Sequence, residues 1–225
     1  MNNCFFITGT DTNVGKTVCS TLLLILAKNY GYQASGYKPI SSGNNGKNNK
    51  NNDAILLKRF STIKLTYEEV NPFLFPEPIS PHISSKKHNI PICTNALSLG
   101  LHNLHKKSNY IIVEGIGGWF TPLSEKITLA DWVIQENLCV ILVVGIKLGC
   151  INHAILTQKA ILDSGLLFSG WIANCILPKN TYNFEYINIL KKYLKSEFLG
   201  YIKYFYHLED IYNSKITIKL PHFTN

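Results

Sequence analysis

The sequence contains six cysteines but no Cys-x-x-Cys pair. The cysteines stand at positions 4, 19, 93, 139, 150 and 175. Several of them lie inside apolar runs, as reduced and buried cysteines do. The absence of paired spacing excludes a local dithiol motif, and we expect reduced thiols in a reducing cytoplasm.

The sequence also lacks an apolar segment of the length that a membrane-spanning helix needs, about 20 residues. Its first apolar run, Cys4–Ile7, is short and has no basic segment before it. A signal peptide would need both a basic segment and a longer apolar one. We therefore expect a cytoplasmic protein with no membrane partner.

Long basic runs are absent as well: no Lys/Arg run exceeds two residues, although the formal net charge is +8. The lysines are scattered among asparagine, isoleucine and tyrosine, a usage that an AT-biased genome alone produces. This scatter favours a base-composition effect over a nucleic-acid-binding patch, and we expect no nucleic-acid partner. Apolar residues make up 46% of the chain, which predicts a packed core rather than disorder.

The most informative segment that is present runs from residue 4 to residue 28, CFFITGTDTNVGKTVCSTLLLILAK. A strand-like run leads into a loop that ends in Gly15-Lys16-Thr17, and an apolar helical stretch follows. This order is typical of a phosphate-binding loop, because loop amides and the helix dipole meet at one point. The lysine reaches terminal phosphates, and the threonine hydroxyl holds magnesium. The spacing is not strict, since Gly9 lies one residue before the usual position, which Thr10 occupies.

Polar side chains also follow other predicted strands. Lys38 and Ser42 come after the strand Tyr32–Tyr37, and Glu114 comes after the strand Asn109–Val113. In a parallel sheet, ligands bind outside the carboxyl ends of the strands, so these side chains should meet beside the phosphate loop. Glu114 is placed to hold magnesium there. A solvated strand-end glutamate and a surface lysine are the alternatives.

Asp53 opens the helix-like segment AILLKRF, so an N-cap role competes with a role as a metal ligand. The asparagine-rich stretch before it, residues 44–52, predicts a flexible loop. The segment Tyr67–Ser85 contains four prolines and is predicted to be irregular.

The second half of the chain repeats the strand-to-helix pattern. Cys139–Gly145 is an uninterrupted apolar run, typical of a buried parallel strand. Lys147 and the helix amino terminus at Gly149–Asn152 predict a second anion site. Asn174 ends the next strand, where its amide could hydrogen-bond a base, and Leu199–Phe205 is predicted as the last core strand with its exit loop.

Strands and helices alternate throughout, which predicts an α/β fold with one doubly wound, mostly parallel sheet and helices on both faces. This architecture is P-loop NTPase-like, and we expect residues 1–225 to form a single domain. Helices are predicted at Ile92–Lys107, Leu129–Gln135 and Tyr182–Leu194. The tail after about residue 206 carries no interpretable pattern.

The chain resembles the dethiobiotin synthetase family along nearly its full length. The most specific matching stretches are TGTDTNVGKT, EGIGGWFTPL and KLGCINHA, at residues 8–17, 114–123 and 147–154. The resemblance implies a cytoplasmic, homodimeric ligase. Such an enzyme closes the ureido ring of dethiobiotin from 7,8-diaminononanoate, carbon dioxide and ATP, with Mg2+.

The resemblance also implies roles for individual positions. The expected ATP contacts are Asn13, Val14, Gly15, Lys16, Thr17, Val18, Asp53, Glu114, Gly115, Ile116, Gly117, Asn174, Lys203, Tyr204 and Phe205. The expected magnesium ligands are Thr17, Asp53 and Glu114, and the expected catalytic residues are Thr12, Lys16 and Lys38. The expected substrate contacts are Ser42, Lys147, Gly149, Cys150, Asn152 and Tyr186, the last from across a dimer interface.

Three features depart from the family pattern. Asn13 stands where many relatives carry an acidic residue, the loop before Asp53 is short and rich in asparagine, and Lys203 stands where a proline is usual. An alternative is a partitioning-type ATPase, a dimeric switch of related fold that binds DNA. That class carries a lysine at the start of its phosphate loop, where this chain has Thr10 and Asp11.

Overall fold

A computed structural model describes residues 3–44, 49–178 and 181–221. The strands in these ranges are β1 (Asn3–Gly9), β2 (Ala34–Tyr37), β3 (Ile40–Ser42), β4 (Phe73–Phe75), β5 (Tyr110–Glu114), β6 (Cys139–Ile146), β7 (Phe168–Cys175) and β8 (Phe198–Ile202). The helices are α1 (Lys16–Asn29), α2 (Asn52–Phe60), α3 (Tyr67–Val70), α4 (Pro81–His88), α5 (Thr94–His105), α6 (Leu129–Gln135), α7 (Cys150–Asp163), α8 (Asn183–Tyr193) and α9 (Leu208–Asn213). The predicted flexible loop falls partly on residues 45–48, which lie outside the described residues.

The main sheet has six strands in the order β2-β5-β1-β6-β7-β8, and every neighbouring pair is parallel. The chain moves outward from β1 in both directions, so right-handed crossovers place the connecting helices on opposite faces. The predicted fold class is confirmed. A second, small sheet pairs β3 with β4 in parallel.

The central strands are apolar because both faces of the sheet are covered. β5 reads YIIVE and β6 reads CVILVVGI, and both bury nearly all of their side chains. A parallel sheet with helices on both faces keeps no solvent face, so its strands read as continuous apolar runs instead of alternating ones. The carboxyl ends of all six strands consequently share one edge, where the polar residues that follow them gather.

The largest departure from the sequence-based expectation is the segment Tyr67–Ser85, whose predicted irregularity is wrong. It contains α3, β4 and the beginning of α4. Thr66 and Glu69 form a capping box at α3. Pro81 is the first residue of α4, a position where proline lacks no hydrogen bond and has a suitable φ.

The tail after residue 206 is folded as well. It forms α9, and the Tyr212 ring packs against Phe60 with ring centroids 4.7 Å apart. Beyond α9, Ile218 forms an antiparallel bridge with Gly200 of β8. At β2 and β8 the strands are shorter than expected, beginning at Ala34 and ending at Ile202.

All six cysteines are free, and Cys4, Cys19, Cys150 and Cys175 are buried. This agrees with the expectation of buried thiols. Within the described ranges, no helix has the combination of length and apolarity that crossing a membrane requires.

Candidate active site

A cavity of about 700 Å³ opens at the carboxyl edge of the main sheet. Strand ends and helix starts supply its lining. The sequence-predicted residues that line it are Thr12, Asn13, Gly15, Lys16, Thr17, Lys38, Ser42, Asp53, Glu114, Ile116 and Gly117. Parallel pairing of β1 with β5 and of β5 with β2 brings these residues together from distant parts of the chain.

The phosphate loop between β1 and α1 is held by close packing. Val14 is fully buried, and a Cβ added at Gly9 or Gly145 would lie 2.5 Å or 2.9 Å from its side chain. These two glycines leave room for the valine, which explains why residue 9 is a glycine although it lies outside the strict motif spacing. Gly15 caps α1 with φ 90° and without a side-chain cap, so the first-turn amides remain available to an anion.

Lys16 is buried inside the loop, with 7% of its surface exposed. Its Nζ donates to the main-chain oxygens of Asp11 at 3.0 Å and Gly117 at 2.6 Å. Burial, followed by repulsion from Lys38, lowers the pKa of Lys16 to about 8. An incoming phosphate would reverse that trend, because a nearby anion favours the charged ammonium.

Lys38, Glu114, Asp53 and Thr17 form one connected group. Lys38 Nζ donates to Glu114 Oε1 at 2.6 Å and lies 3.3 Å from Asp53 Oδ2. Thr17 Oγ1 donates to the same Glu114 oxygen at 2.8 Å. The side chains of Lys38 and Glu114 are 4% and 0% exposed, so neither is the solvated residue that the sequence left open.

Burial acts against the charge on both partners of this pair. It raises the pKa of the Glu114 carboxyl above its usual value, and the facing Lys38 opposes that rise. Burial also acts to lower the pKa of Lys38, but Glu114 and Asp53 together outweigh it and raise that pKa above its usual value. Lys38 therefore stays cationic at neutral pH and compensates two carboxyl groups.

The oxygen donors here fit a magnesium ion. Glu114 Oε2 is buried and has no hydrogen-bond partner, and Thr17 and Asp53 add a hydroxyl and a carboxylate. Magnesium prefers hard oxygen ligands and commonly takes one or two carboxylates together with substrate phosphates. Among the described residues, no cluster of three or more His, Cys, Asp or Glu side chains could hold a metal. The donor set thus suits a magnesium ion that would take its remaining ligands from a phosphate.

The predicted N-cap role of Asp53 is wrong, because Asn51 caps α2. Asn51 Oδ1 accepts from the amides of Asp53 at 3.0 Å and Ala54 at 3.3 Å. Helix α2 begins at Asn52, which the sequence assigned to a flexible loop. The Asp53 carboxylate, relieved of capping, faces Lys38 instead.

Sequence reasoning assigned no role to part of the cavity lining, which also includes Asn51, Pro78, Ile79, Ser80, Pro81, Gly118, Thr121 and Pro122. Ser80-Pro81 is a recognisable helix start, so the sequence could have predicted the beginning of α4 at this place. Asn51 could not be distinguished from the asparagines around it.

Lys147 and the amino terminus of α7 are not among the residues that line this cavity; both follow β6, the strand next to β1. Gly149 caps α7 with φ 88° and without a side-chain cap. Lys147 Nζ lies 3.1 Å from Asp11 Oδ2. Cys150 is buried in the first turn of α7, whereas Asn152 is exposed.

The other predicted contacts are distributed around the site. Asn174 Nδ2 donates to the Val14 carbonyl at 2.9 Å, so its side chain holds the phosphate loop in place. Lys203 and Phe205 line a separate cavity of about 260 Å³. Tyr186 is half-buried in the first turn of α8. The residues that remain outside the lining of the larger cavity are Val14, Val18, Gly115, Lys147, Gly149, Cys150, Asn152, Asn174, Tyr186, Lys203, Tyr204 and Phe205.

Residues 3–211 match a family model described as an AAA domain. The chain is 58% identical to the ATP-dependent dethiobiotin synthetase BioD of Buchnera aphidicola subsp. Baizongia pistaciae (strain Bp), over 98% of this chain and 99% of that protein. It is 48% identical to the ATP-dependent dethiobiotin synthetase BioD 1 of Escherichia coli (strain K12), over 90% of this chain and 91% of that protein.

Among solved structures, the chain is similar to the MinD cell division protein of Aquifex aeolicus, with TM-score 0.54 and 16% identity over 94% of this chain and 86% of that one. It is also similar to a ParA family ATPase from Chlorobium tepidum TLS, with TM-score 0.55 and 13% identity over 93% of this chain and 86% of that one. At such identities the likeness shows the fold alone, so the partitioning-type alternative gains no functional support. The much higher identity to the two synthetases extends over nearly the whole of this chain and of each relative, and the chain therefore belongs to the dethiobiotin synthetase family.

Proposed function

We propose that this protein is an ATP-dependent dethiobiotin synthetase of biotin biosynthesis, which converts 7,8-diaminononanoate, carbon dioxide and ATP into dethiobiotin, ADP and phosphate. The observation that carries the proposal is the convergence of two buried lysines, Lys16 and Lys38, on one cavity beside the phosphate loop. Relatives that carry this activity in their names support the choice of reaction.

The reaction joins two anions, which is its central difficulty. One amine of the substrate attacks carbon dioxide and loses a proton, which leaves a carbamate. A carbamate oxygen then attacks the γ-phosphoryl group of ATP, forming a mixed anhydride and releasing ADP. The neighbouring amine attacks the carbonyl carbon, closes the ring and expels phosphate. Neutralising charge at the second step is the main task of the protein.

The lysines and hydroxyls of the cavity suit this task without a protein nucleophile. Lys16 is assigned to the γ-phosphate, because it lies inside the loop that would cradle the phosphates. Lys38 reaches the same cavity and is assigned to the carbamate. Thr12 and Ser42 also line the cavity and supply hydroxyl groups for orientation.

Nucleotide binding is assigned to the loop backbone. The amides of the loop and of the first turn of α1, from Asn13 to Val18, would cradle the phosphates, and the backbone at Gly115–Gly117 is assigned to the nucleotide as well. Asn174 and the exit loop at Lys203–Phe205 are assigned to the adenine. Magnesium held by Thr17, Asp53 and Glu114 would neutralise charge on the phosphate oxygens.

The distal carboxylate of the substrate is assigned to Lys147 and the free amides at Gly149–Asn152, completed by Tyr186 of a second subunit. In one chain these groups lie outside the main cavity, which supports a site that is shared between subunits. Leu148 is 87% exposed and Phe184 is 60% exposed, two large apolar side chains that association could cover. We therefore propose a homodimer in the cytoplasm.

The direct test is to incubate the protein with 7,8-diaminononanoate, bicarbonate, magnesium and ATP and to identify the product by mass spectrometry. We expect dethiobiotin and ADP in equal amounts. Consumption of ATP without dethiobiotin would reject the assignment. A gel shift with duplex DNA at physiological salt, with and without ATP, checks the partitioning-type alternative, whose binding would depend on ATP and fall steeply with salt.

The shared site is tested separately by measuring specific activity and molecular mass over a dilution series. We expect activity to fall as dimers dissociate. A monomer with full activity would contradict the assignment of Tyr186 to a partner's site.

A further inference from the structure

Asp11 contacts three of the groups to which the proposed reaction assigns a role. Its main-chain oxygen accepts from Lys16 Nζ at 3.0 Å. Its Oδ1 accepts from the amide of Thr12 at 2.7 Å, and its Oδ2 accepts from Lys147 Nζ at 3.1 Å. Asp11 therefore connects the phosphate loop to the start of α7.

Sheet topology makes this connection, because β1 and β6 are neighbours. Their pairing continues past β1, where the Thr10 amide donates to the Val143 oxygen at 3.0 Å. The loops that leave the two strands thus run side by side, and an aspartate in one meets a lysine 136 residues further along in the other.

The ion pair is partly exposed, with the Asp11 and Lys147 side chains 45% and 35% accessible. Exposed pairs of this kind add little to folding stability. The Lys147 ammonium, followed by the Thr12 amide, holds the pKa of Asp11 below its usual value, so the carboxylate is charged at neutral pH. His153 also contributes a small effect of the same sign. A charged but partly exposed pair beside the phosphate loop is better suited to orienting Lys147 than to stabilising the fold.

We propose that Asp11 is a positioning residue that holds the Lys147 ammonium in one place just before the amino terminus of α7, so that Lys147 meets the carboxylate of the organic substrate and not the triphosphate. This inference rests on the proposed function, which assigns Lys147 to the substrate. Lysine has a flexible four-carbon stem, and an unrestrained ammonium beside a phosphate loop would follow the strongest nearby anion. Asp11 opposes that movement with a fixed charge, because its other oxygen is held by the loop.

The variant Asp11→Asn separates the contact with the Thr12 amide from the ion pair with Lys147. The asparagine amide still offers an oxygen to Thr12 but no longer carries the charge that holds Lys147. We expect the KM for diaminononanoate to rise roughly tenfold, with kcat and the KM for ATP changed by less than about twofold. In a Lys147→Met background the same substitution should add nothing. Equal effects in both backgrounds, or a loss confined to kcat, would overturn the proposal.

A second readout does not depend on activity. Competitive acylation followed by mass spectrometry reports how reactive each lysine is, and we expect Lys147 to become about threefold more reactive in Asp11→Asn. Unchanged reactivity of Lys147 would overturn the link. The matched control is Asp163→Asn, which removes the exposed partner of Lys159 on α7, at 3.0 Å, and should change neither readout at the site. Absence of product with the wild-type protein would instead reject the proposed function, while the acylation result still judges the link.

Discussion

Two strand-to-helix junctions lie side by side in this protein and use the same backbone device in different ways. Both α1 and α7 begin after a glycine with left-handed φ, 90° at Gly15 and 88° at Gly149, and neither has a side-chain cap. A Cβ at Gly15 would lie 2.0 Å from the Asn174 amide, whereas a Cβ at Gly149 would meet nothing within 4 Å. The first junction is a closed cradle, and the second is open to solvent.

The lysines of the two junctions also differ in burial and in the partners that hold them. Lys16 is buried and bonded to two backbone oxygens, while Lys147 is partly exposed and paired with a side-chain carboxylate. Backbone partners fix the ammonium in place, whereas a carboxylate on a rotatable side chain allows adjustment. We therefore assign the closed junction to the triphosphate and the open one to the organic substrate.

The largest expected effect comes from removing the lysine of the closed junction. We expect Lys16→Met to lower kcat/KM by about a thousandfold, because the lost charge is desolvated and aimed at the reacting phosphate. Lys147→Met should raise the KM for diaminononanoate about tenfold and change kcat less. Steady-state kinetics measures both, with Lys159→Met on α7 as the control. Equal losses in kcat/KM for Lys16→Met and Lys147→Met would contradict the different roles assigned to the two junctions.

Lys38 extends the closed region, and its loss should come next in size. We expect Lys38→Ala to lower kcat about a hundredfold while the Kd for ATP changes by less than about threefold. Unfolding free energy should also fall by about 3 kcal/mol, because Glu114 loses its buried partner. Calorimetry, kinetics and denaturant unfolding measure the three quantities. Near-normal turnover would exclude Lys38 from catalysis.

Substitution of the two capping glycines, Gly15 and Gly149, compares the two junctions directly. Gly15→Ala combines backbone strain with a collision against Asn174, so we expect ATP affinity to fall by about thirtyfold, roughly 2 kcal/mol. Gly149→Ala brings strain alone, and we expect a loss of about 1 kcal/mol in stability with ATP affinity unchanged. Titration calorimetry and denaturant unfolding distinguish the variants. Similar ATP affinities in the two would argue against a closed cradle.

The smallest expected effect is the uptake of a proton when ATP binds. Because burial lowers the pKa of Lys16 to about 8, part of the free protein carries a neutral Lys16 at pH 8 to 9. A bound triphosphate favours the cation, so ATP binding should take up a proton, with near-zero uptake at pH 6.5 and rising uptake towards pH 9. Calorimetry in two buffers of different ionisation enthalpy measures this uptake. Lys16→Met should abolish it, and uptake independent of pH would contradict the assignment.

Several features of the site were accessible from local sequence. The glycine-lysine-threonine loop after β1 was placed correctly because strand, loop and helix are each encoded by neighbouring residues. Helix α6 has the predicted bounds, Leu129–Gln135, since Thr128 and Asp131 form a capping box at its start. Asp53 shows the limit of such reasoning: the helix start was recognised, but its cap was assigned to the wrong residue.

What the sequence by itself determined is the alternation of buried strands with helices, the position of the phosphate loop and the family. Continuous apolar runs and glycine placement act over a few residues, so they can be read in order along the chain. Only the tertiary structure decided that Lys38 contacts Glu114, 76 residues away, and that Asp11 contacts Lys147. Those contacts depend on the strand order β2-β5-β1-β6, which arises from packing of the whole sheet and not from any local pattern.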